Sequence, residues 1–178
     1  MKQKELEDTL LGMGIGICAV QESHEKANMA LHFTHYQWVG RHREGRLGGG
    51  VGFLVHSSLV HAVSVADTTG AQEVMWLIVD GSSREAAPLV LASVYLPCNA
   101  QTRAEQDTCA RAFELLEADV VHFQQKGRVV LLGDFNGRVG QALEANAPIG
   151  MYGEDRVNWN GTLFTAIPKC DSSHQRTP

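Results

Sequence analysis

The chain has 178 residues, of which 44% are hydrophobic and 20% charged. That length and balance fit a single globular domain and exclude a fibrous or disordered chain. Lys and Arg total 15 against 20 Asp and Glu, a formal charge of −5, so contact with a polyanion must rest on a local basic patch or a bound cation.

No apolar run reaches the roughly 18 residues that a membrane-spanning helix needs. Met1-Lys2-Gln3-Lys4-Glu5 is charged where a signal peptide would be apolar. The expected setting is intracellular, with no membrane partner. Residues 2–11 carry Leu6, Leu10 and Leu11 at helical spacing, with Gly12 as the expected stop. Ile15 to Val20 is a short apolar run that reads as a strand buried on both faces. Gly48-Gly49-Gly50 is a turn before a second strand at 51–55. Residues 60–66 alternate through Val63 and Val65 as in a half-buried strand. Two further strands follow at 74–79 and 89–94, separated by Gly81-Ser82-Ser83.

A long helix is expected over 102–126. Thr102 and Glu105 form a capping box, and Cys109, Phe113, Leu116, Val120 and Phe123 make one apolar stripe. Gly127 reads as its left-handed C′ residue. Val129 to Leu132 then forms a β run ending at Gly133-Asp134-Phe135-Asn136-Gly137. Many strands with few helices point to an α/β or α+β layered fold with a substantial sheet.

Cys18, Cys98, Cys109 and Cys170 lie far apart with no Cys-x-x-Cys pair, so free thiols are expected. His32 and His35 are the one close histidine pair, without further ligands at zinc spacing, and no zinc site is expected. Asn160-Gly161-Thr162 matches a glycosylation sequon that an intracellular chain would not use. The glycines at 48–52 lack both a following helix and a Gly-Lys-Ser/Thr, which excludes a P-loop. No Gly-x-Ser-x-Gly elbow is present either.

The chemistry is concentrated where apolar runs end in polar residues. Val20-Gln21-Glu22 ends in a carboxylate, a hard oxygen donor suited to Mg²⁺ or Mn²⁺, or else the first residue of a solvated loop. Val94-Tyr95 ends in a phenol that either donates to a phosphate or caps the core. Asp134 and Asn136, two apart, would project from one face of an extended segment with Phe135 anchored opposite. A carboxylate beside an amide suits orienting water and binding a phosphate oxygen, and the same letters also suit a plain turn. Arg41-His42-Arg43-Glu44-Gly45-Arg46 is either a solvated loop or a phosphate-contacting one.

Taken in order, Gln21-Glu22, Gly48-Gly49-Gly50-Val51-Gly52, Val94-Tyr95-Leu96-Pro97 and Gly133-Asp134-Phe135-Asn136 resemble the endonuclease/exonuclease/phosphatase superfamily. Within it the chain is most similar to the endonuclease domains of non-LTR (LINE-type) retrotransposons, whose Gly-x-x-Gly…Asn-x-Asn-Gly-x-x-Leu segment matches Gly150 to Phe164. The resemblance covers roughly residues 4–164, which is the expected domain (1–164), followed by a coil-like tail over 165–178.

The resemblance implies a DNase I-like fold, two mixed sheets packed as a sandwich and flanked by helices. It implies Mg²⁺- or Mn²⁺-dependent phosphodiester hydrolysis, with Glu22 binding the metal and Tyr95 contacting the scissile phosphate. Asp134 would position or deprotonate the water, and Asn136 would orient phosphate and nucleophile. Retroelement members nick DNA in the nucleus to leave a 3′-hydroxyl primer, and a reverse transcriptase region accompanies them in full-length relatives. The shared motifs leave a phosphomonoester or another phosphodiester open as substrate.

Two departures imply a domain shortened at both ends. The family begins with a strand carrying an Asn, and this chain begins at the helix. The family closes on strands carrying an Asp and a Ser-Asp-His motif, whereas Asp171-Ser172-Ser173-His174 arrives too early and without a strand. A catalytically inactive retroelement remnant is therefore the further alternative.

Overall fold

The structure, a computed structural model, describes residues 3–24, 31–43, 48–66, 73–81, 86–96, 101–141 and 153–166. These fall into two compact units, one formed by the residues up to 95 with 126–134, the other by 96–125 and 135 onward. Cys98, Cys170, His174 and the span from 167 to the end lie outside the described residues.

The first unit opens with helix α1 (Gln3–Gly12) and, among the described residues, holds seven strands. Strands β1 (Ile17–Gln21), β2 (Tyr36–Arg41) and β3 (Val51–His56) form an antiparallel sheet in the order β1-β3-β2. A 3₁₀ helix at Ser57–Ala62 leads to β4 (Val63–Ala66), β5 (Val74–Val79) and β6 (Leu89–Tyr95). With β7 (Arg128–Asp134) they make a second, mixed sheet in the order β4-β5-β6-β7, in which only β6 and β7 run parallel.

Alternation along the strands explains how the sheets pack. Val51, Phe53 and Val55 of β3 point to one side and meet Met75 and Leu77 of β5 and Leu91 of β6, all buried, with Ile17, Ala19 and Tyr95 around them. The opposite face of β3 presents Leu54, which packs with Leu10 of α1 and Tyr36 of β2. The β6 residues 90–94 are buried without a break, as a strand covered on both faces requires. Tyr36 donates its hydroxyl to the Ile15 carbonyl at 2.5 Å, and the buried Glu7 accepts the His35 amide at 2.5 Å.

Helix α1 ends at Gly12, where the stop was expected, and the left-handed cap residue follows two positions later at Gly14, with φ of 66°. The Gly14 amide donates to the Leu11 carbonyl and the Ile15 amide to the Leu10 carbonyl, the paired bonds of a Schellman cap. Ile15 then packs beside Leu10. Gly14→Ala is expected to destabilise the protein by about 1 kcal/mol, because alanine resists the left-handed conformation. Gly12→Ala, in a helical position with nothing near its Cβ, is expected to be neutral or stabilising by up to about 1 kcal/mol. Urea unfolding of the two variants checks the contrast.

Three expectations change. β1 is an edge strand, half-buried along its whole length rather than buried on both faces. Residues 60–62 belong to the 3₁₀ helix, and Val65 is exposed on the edge strand β4. Gly127 has no left-handed φ; a Cβ there would lie 2.2 Å from the Pro88 carbonyl oxygen, so close backbone approach requires the glycine. β2 had no clear sequence signal.

The second unit contains α2 (Arg103–Gln124) and α3 (Trp159–Ala166), which pack on each other. The capping box is formed as expected, with the Thr102 hydroxyl accepting the Glu105 amide and the Glu105 carboxylate accepting the Thr102 amide. The five stripe residues of α2 are buried. Cys109 is buried and Cys18 half-buried, neither of them in a disulfide, and burial raises the Cys18 thiol above its ordinary value. α3 continues through Thr165 and Ala166, where a coil-like tail was expected to begin, and Asn158 and Asn160 anchor its first turn to the preceding loop. Asn160 is buried, with its amide nitrogen on the Phe135 carbonyl, so the folded chain does not offer that sequon. Among the described residues no helix is long and apolar enough to cross a membrane.

Candidate active site

In the first unit, β1 lies against β6 and β7, and the C-terminal ends of these strands carry Glu22, Tyr95 and Asp134. Gln21, still in the β1 alternation, donates its side-chain amide to Ser93 Oγ at 3.0 Å, and Ser93 Oγ donates to the Val20 carbonyl at 3.1 Å. These bonds pin the end of β1 to the penultimate turn of the β6 pleat, where Ser93 is fully buried.

Strict alternation would then send Glu22 to the same side as Val20, toward α1. Instead Glu22 has a φ of 51°, and His24 a φ of 50°. The left-handed backbone breaks the pleat, and the Glu22 carboxylate accepts the Tyr95 hydroxyl at 2.5 Å. A non-glycine residue held there costs about 1–3 kcal/mol, and such strain concentrates where a side chain must be aimed. Tyr95 and Asp134 are register partners on the parallel strands β6 and β7, so their side chains leave the same face about 4.8 Å apart along the ladder.

A cation completes this cluster. Arg43 donates its Nε–H to the Glu73 carboxylate, and its guanidinium carbon lies 5.7 Å from the centre of the Tyr95 ring. The Glu73 carbonyl accepts the Tyr95 amide at 2.8 Å, so one residue fixes both the backbone of Tyr95 and the cation over its ring. The hydrogen bond to Glu73 holds the Arg43 guanidinium above its ordinary value, opposed by burial and aided by the charges of Glu73, Tyr95 and Glu22. Gly49, with φ of 73°, makes room: a Cβ there would sit 2.4 Å from the guanidinium. Ser23 and His24 donate their amides to the carbonyls of Gly50 and Gly49, tying the strand-end loop to the glycine run.

Of the basic cluster at 41–46, the structure describes Arg41, His42 and Arg43, and both of these arginines are engaged within the protein. Arg41 donates to the Val74 carbonyl and Arg43 to Glu73. Sequence reasoning named Arg43 in that cluster but missed its pairing with Glu73, because the two are 30 residues apart and Glu73 stands alone before an apolar run. Arg43→Gln is expected to cost about 1–3 kcal/mol by leaving a largely buried carboxylate without its cation. Adding Glu73→Gln should recover at least half of that loss, and a double-mutant cycle from urea unfolding measures the coupling.

Asn136 belongs to the second unit. Its φ is 49°, so the backbone at Asn136 is not the extended one expected. Asparagine tolerates this conformation better than most residues. Its amide nitrogen donates to the Leu96 carbonyl at 2.8 Å. Phe135 is anchored, as expected, against Phe164 of α3, ring centres 4.7 Å apart.

The donors at the first unit's strand ends are carboxylate and phenol oxygens, the hard set that Mg²⁺ and Mn²⁺ prefer. Among the described residues no three His, Cys, Asp or Glu side chains gather into a metal cage. A Mg²⁺ ion commonly uses only one or two protein carboxylates and completes its shell with water and phosphate oxygens. Glu22 fits that mode, with Tyr95 holding one of its oxygens in place.

No protein-family model matches the sequence, and no curated protein does. Solved structures do match. The crystal structure of ANGEL2, a 2′,3′-cyclic phosphatase, aligns with a TM-score of 0.50 at 16% identity over 82% of this chain. The chain has the DNase I-like fold. TDP2 from C. elegans aligns at 0.48 and 15% identity over 75% of the chain. D. rerio TDP2 complexed with a single-strand DNA product aligns at 0.46 and 14% over the same share. This chain spans 44%, 42% and 53% of those structures' lengths, respectively. The two sheets β1-β3-β2 and β4-β5-β6-β7 are the sandwich of that fold, and Glu22, Tyr95 and Asp134 lie at one end of it.

Proposed function

We propose that the chain is a divalent-metal-dependent phosphoester hydrolase acting on DNA as a nicking endonuclease of the retrotransposon type. The observation that carries this reading is the hydrogen bond from Tyr95 to Glu22, with Asp134 in register beside Tyr95. Glu22, Tyr95 and Asp134 sit far apart in sequence, and the fold gathers them at one sheet end, two by strand pairing and the third by a strained residue. A metal ion held through Glu22 would supply positive charge to the phosphate, which an acidic chain otherwise lacks.

Glu22 is the metal-side carboxylate, oriented by the Tyr95 hydroxyl. Tyr95 presents its phenol toward a phosphate oxygen. Asp134 orients the attacking water and accepts its proton while the P–O3′ bond breaks and the departing O3′ takes a proton from solvent water, leaving a 3′-hydroxyl and a 5′-phosphate. Asn136 offers its side-chain amide to phosphate and nucleophile. On this reading the chain meets its DNA in the nucleus.

The likeness to a 2′,3′-cyclic phosphatase favours a second reading, hydrolysis of a smaller phosphoester at the same residues. One assay separates them: relaxation of supercoiled plasmid with Mg²⁺ or Mn²⁺, run beside phosphate release from small mono- and cyclic phosphoesters. Nicking that needs the metal supports the endonuclease, and phosphate release without nicking supports the second reading. A wild-type chain inert in both is a catalytically inactive remnant.

A further inference from the structure

Around Asn136 the structure builds a support from the first residues of α3. Asn158 stands immediately before that helix. Its Oδ1 accepts two amides, from Gly161 at 2.8 Å and from Arg138 at 2.8 Å, and its Nδ2 donates to the Asn136 carbonyl at 2.9 Å. Its backbone amide donates to the Arg138 carbonyl at 3.1 Å. Asn160, 1% exposed, donates its Nδ2 to the Phe135 carbonyl at 3.0 Å. A Cβ at Gly161 would lie 1.9 Å from the Arg138 carbonyl oxygen, so this glycine lets helix and loop meet backbone to backbone.

The consequence is specific. The carbonyls of Phe135 and Asn136, the two on either side of the left-handed Cα, are each held by a side-chain amide from one helix turn. Fixing both peptide planes fixes φ and ψ of Asn136, and with them the direction of its side chain. A helix cap alone needs only the Oδ1 bond to Gly161; the Nδ2 bond to Asn136 is extra to capping.

We infer that Asn158, backed by Asn160, is a positioning residue that locks Asn136 in its left-handed conformation for turnover. The inference rests on the proposed role of Asn136 in phosphoester hydrolysis. Asn158 touches no substrate in this scheme and acts only through Asn136.

Asn158→Asp separates positioning from stability. An aspartate keeps both amide-accepting bonds and is an equally good N-cap, favoured by the helix dipole. It cannot donate, and it sets a carboxylate oxygen against the Asn136 carbonyl. The expected result is a Tm lowered by less than in Asn158→Ala, kcat for plasmid nicking lower by about 10–100-fold, a nearly unchanged KM, and displaced side-chain amide resonances of Asn136 in a ¹⁵N spectrum. Asn158→Ala, which removes the cap as well, should lower both kcat and Tm. Asn136→Ala tests the underlying reading. If Asn136→Ala is inactive while Asn158→Asp nicks at the wild-type rate with unmoved Asn136 resonances, the inference falls and the reading stands. If Asn136→Ala nicks as wild type, or wild type itself is inert, the reading falls and the inference with it.

Discussion

Glu22→Gln is expected to lower metal-dependent hydrolysis by about 10²–10³-fold while leaving the fold intact. The substitution is nearly isosteric and keeps the left-handed backbone at this position. Its amide oxygen still accepts the Tyr95 hydroxyl, so the contact that aims the side chain survives. What disappears is one negative charge at the place where a hard cation is to be held. The same variant should bind Mn²⁺ more weakly by calorimetry, with the apparent metal requirement for activity shifted upward. Tyr95→Phe makes the complementary change, keeping the charge and removing the donor, and about a tenfold loss is expected. Retention of full activity in Glu22→Gln would remove this residue from the site. An Asp134→Ala control separates loss of the metal-side carboxylate from loss of the group assigned to the water.

The strand ends were legible because apolar runs stop abruptly in polar residues, and those stops mark where a sheet meets a cleft. Val20-Gln21-Glu22, Val94-Tyr95 and Leu132-Gly133-Asp134 all obey that rule, and in the first unit they converge as the rule suggests. Helix α2 was legible for an equally local reason, a cap and a stripe. Less legible was anything decided by partners distant in sequence. β2 reads Tyr36-Gln37-Trp38-Val39-Gly40-Arg41, apolar on both faces and flanked by histidines and arginines, and only its pairing with β3 makes it a strand. Gly127 and Gly14 show the limit for glycine: the letter signals a special position without saying whether φ or close approach demands it. Strain was also invisible. Nothing in Glu22 announces a positive φ, and at Asn136 the residue type only tolerates one, while the bonds from Asn158 and Asn160 hold it. The strand-end residues could thus be named from the sequence, while the contacts made to them by Arg43, Glu73, Ser93 and Asn158 could not.

Gly133→Ala should be among the most damaging single changes in the protein, destabilising it by about 2–4 kcal/mol. Gly133 pairs in register with Val94, and a Cβ there would lie 1.9 Å from the Val94 carbonyl oxygen, 2.8 Å from its carbonyl carbon and 2.9 Å from its amide nitrogen. All three are backbone atoms of a buried strand, so no side-chain rotation relieves the clash. β7 must move away from β6, and the parallel ladder opens at the pair just before Tyr95 and Asp134. The damage therefore reaches the site as well as the fold: folded Gly133→Ala at low temperature should show reduced turnover because Asp134 no longer sits in register beside Tyr95. Gly137→Ala is the control, since its nearest neighbours lie at 3.4–3.5 Å, an ordinary contact distance, and its cost should stay within about 1 kcal/mol. Thermal unfolding of the two variants decides the matter. A Gly133→Ala protein as stable as Gly137→Ala would mean that β6 and β7 do not approach so closely at this pair, and the placement of Asp134 beside Tyr95 would fail with it.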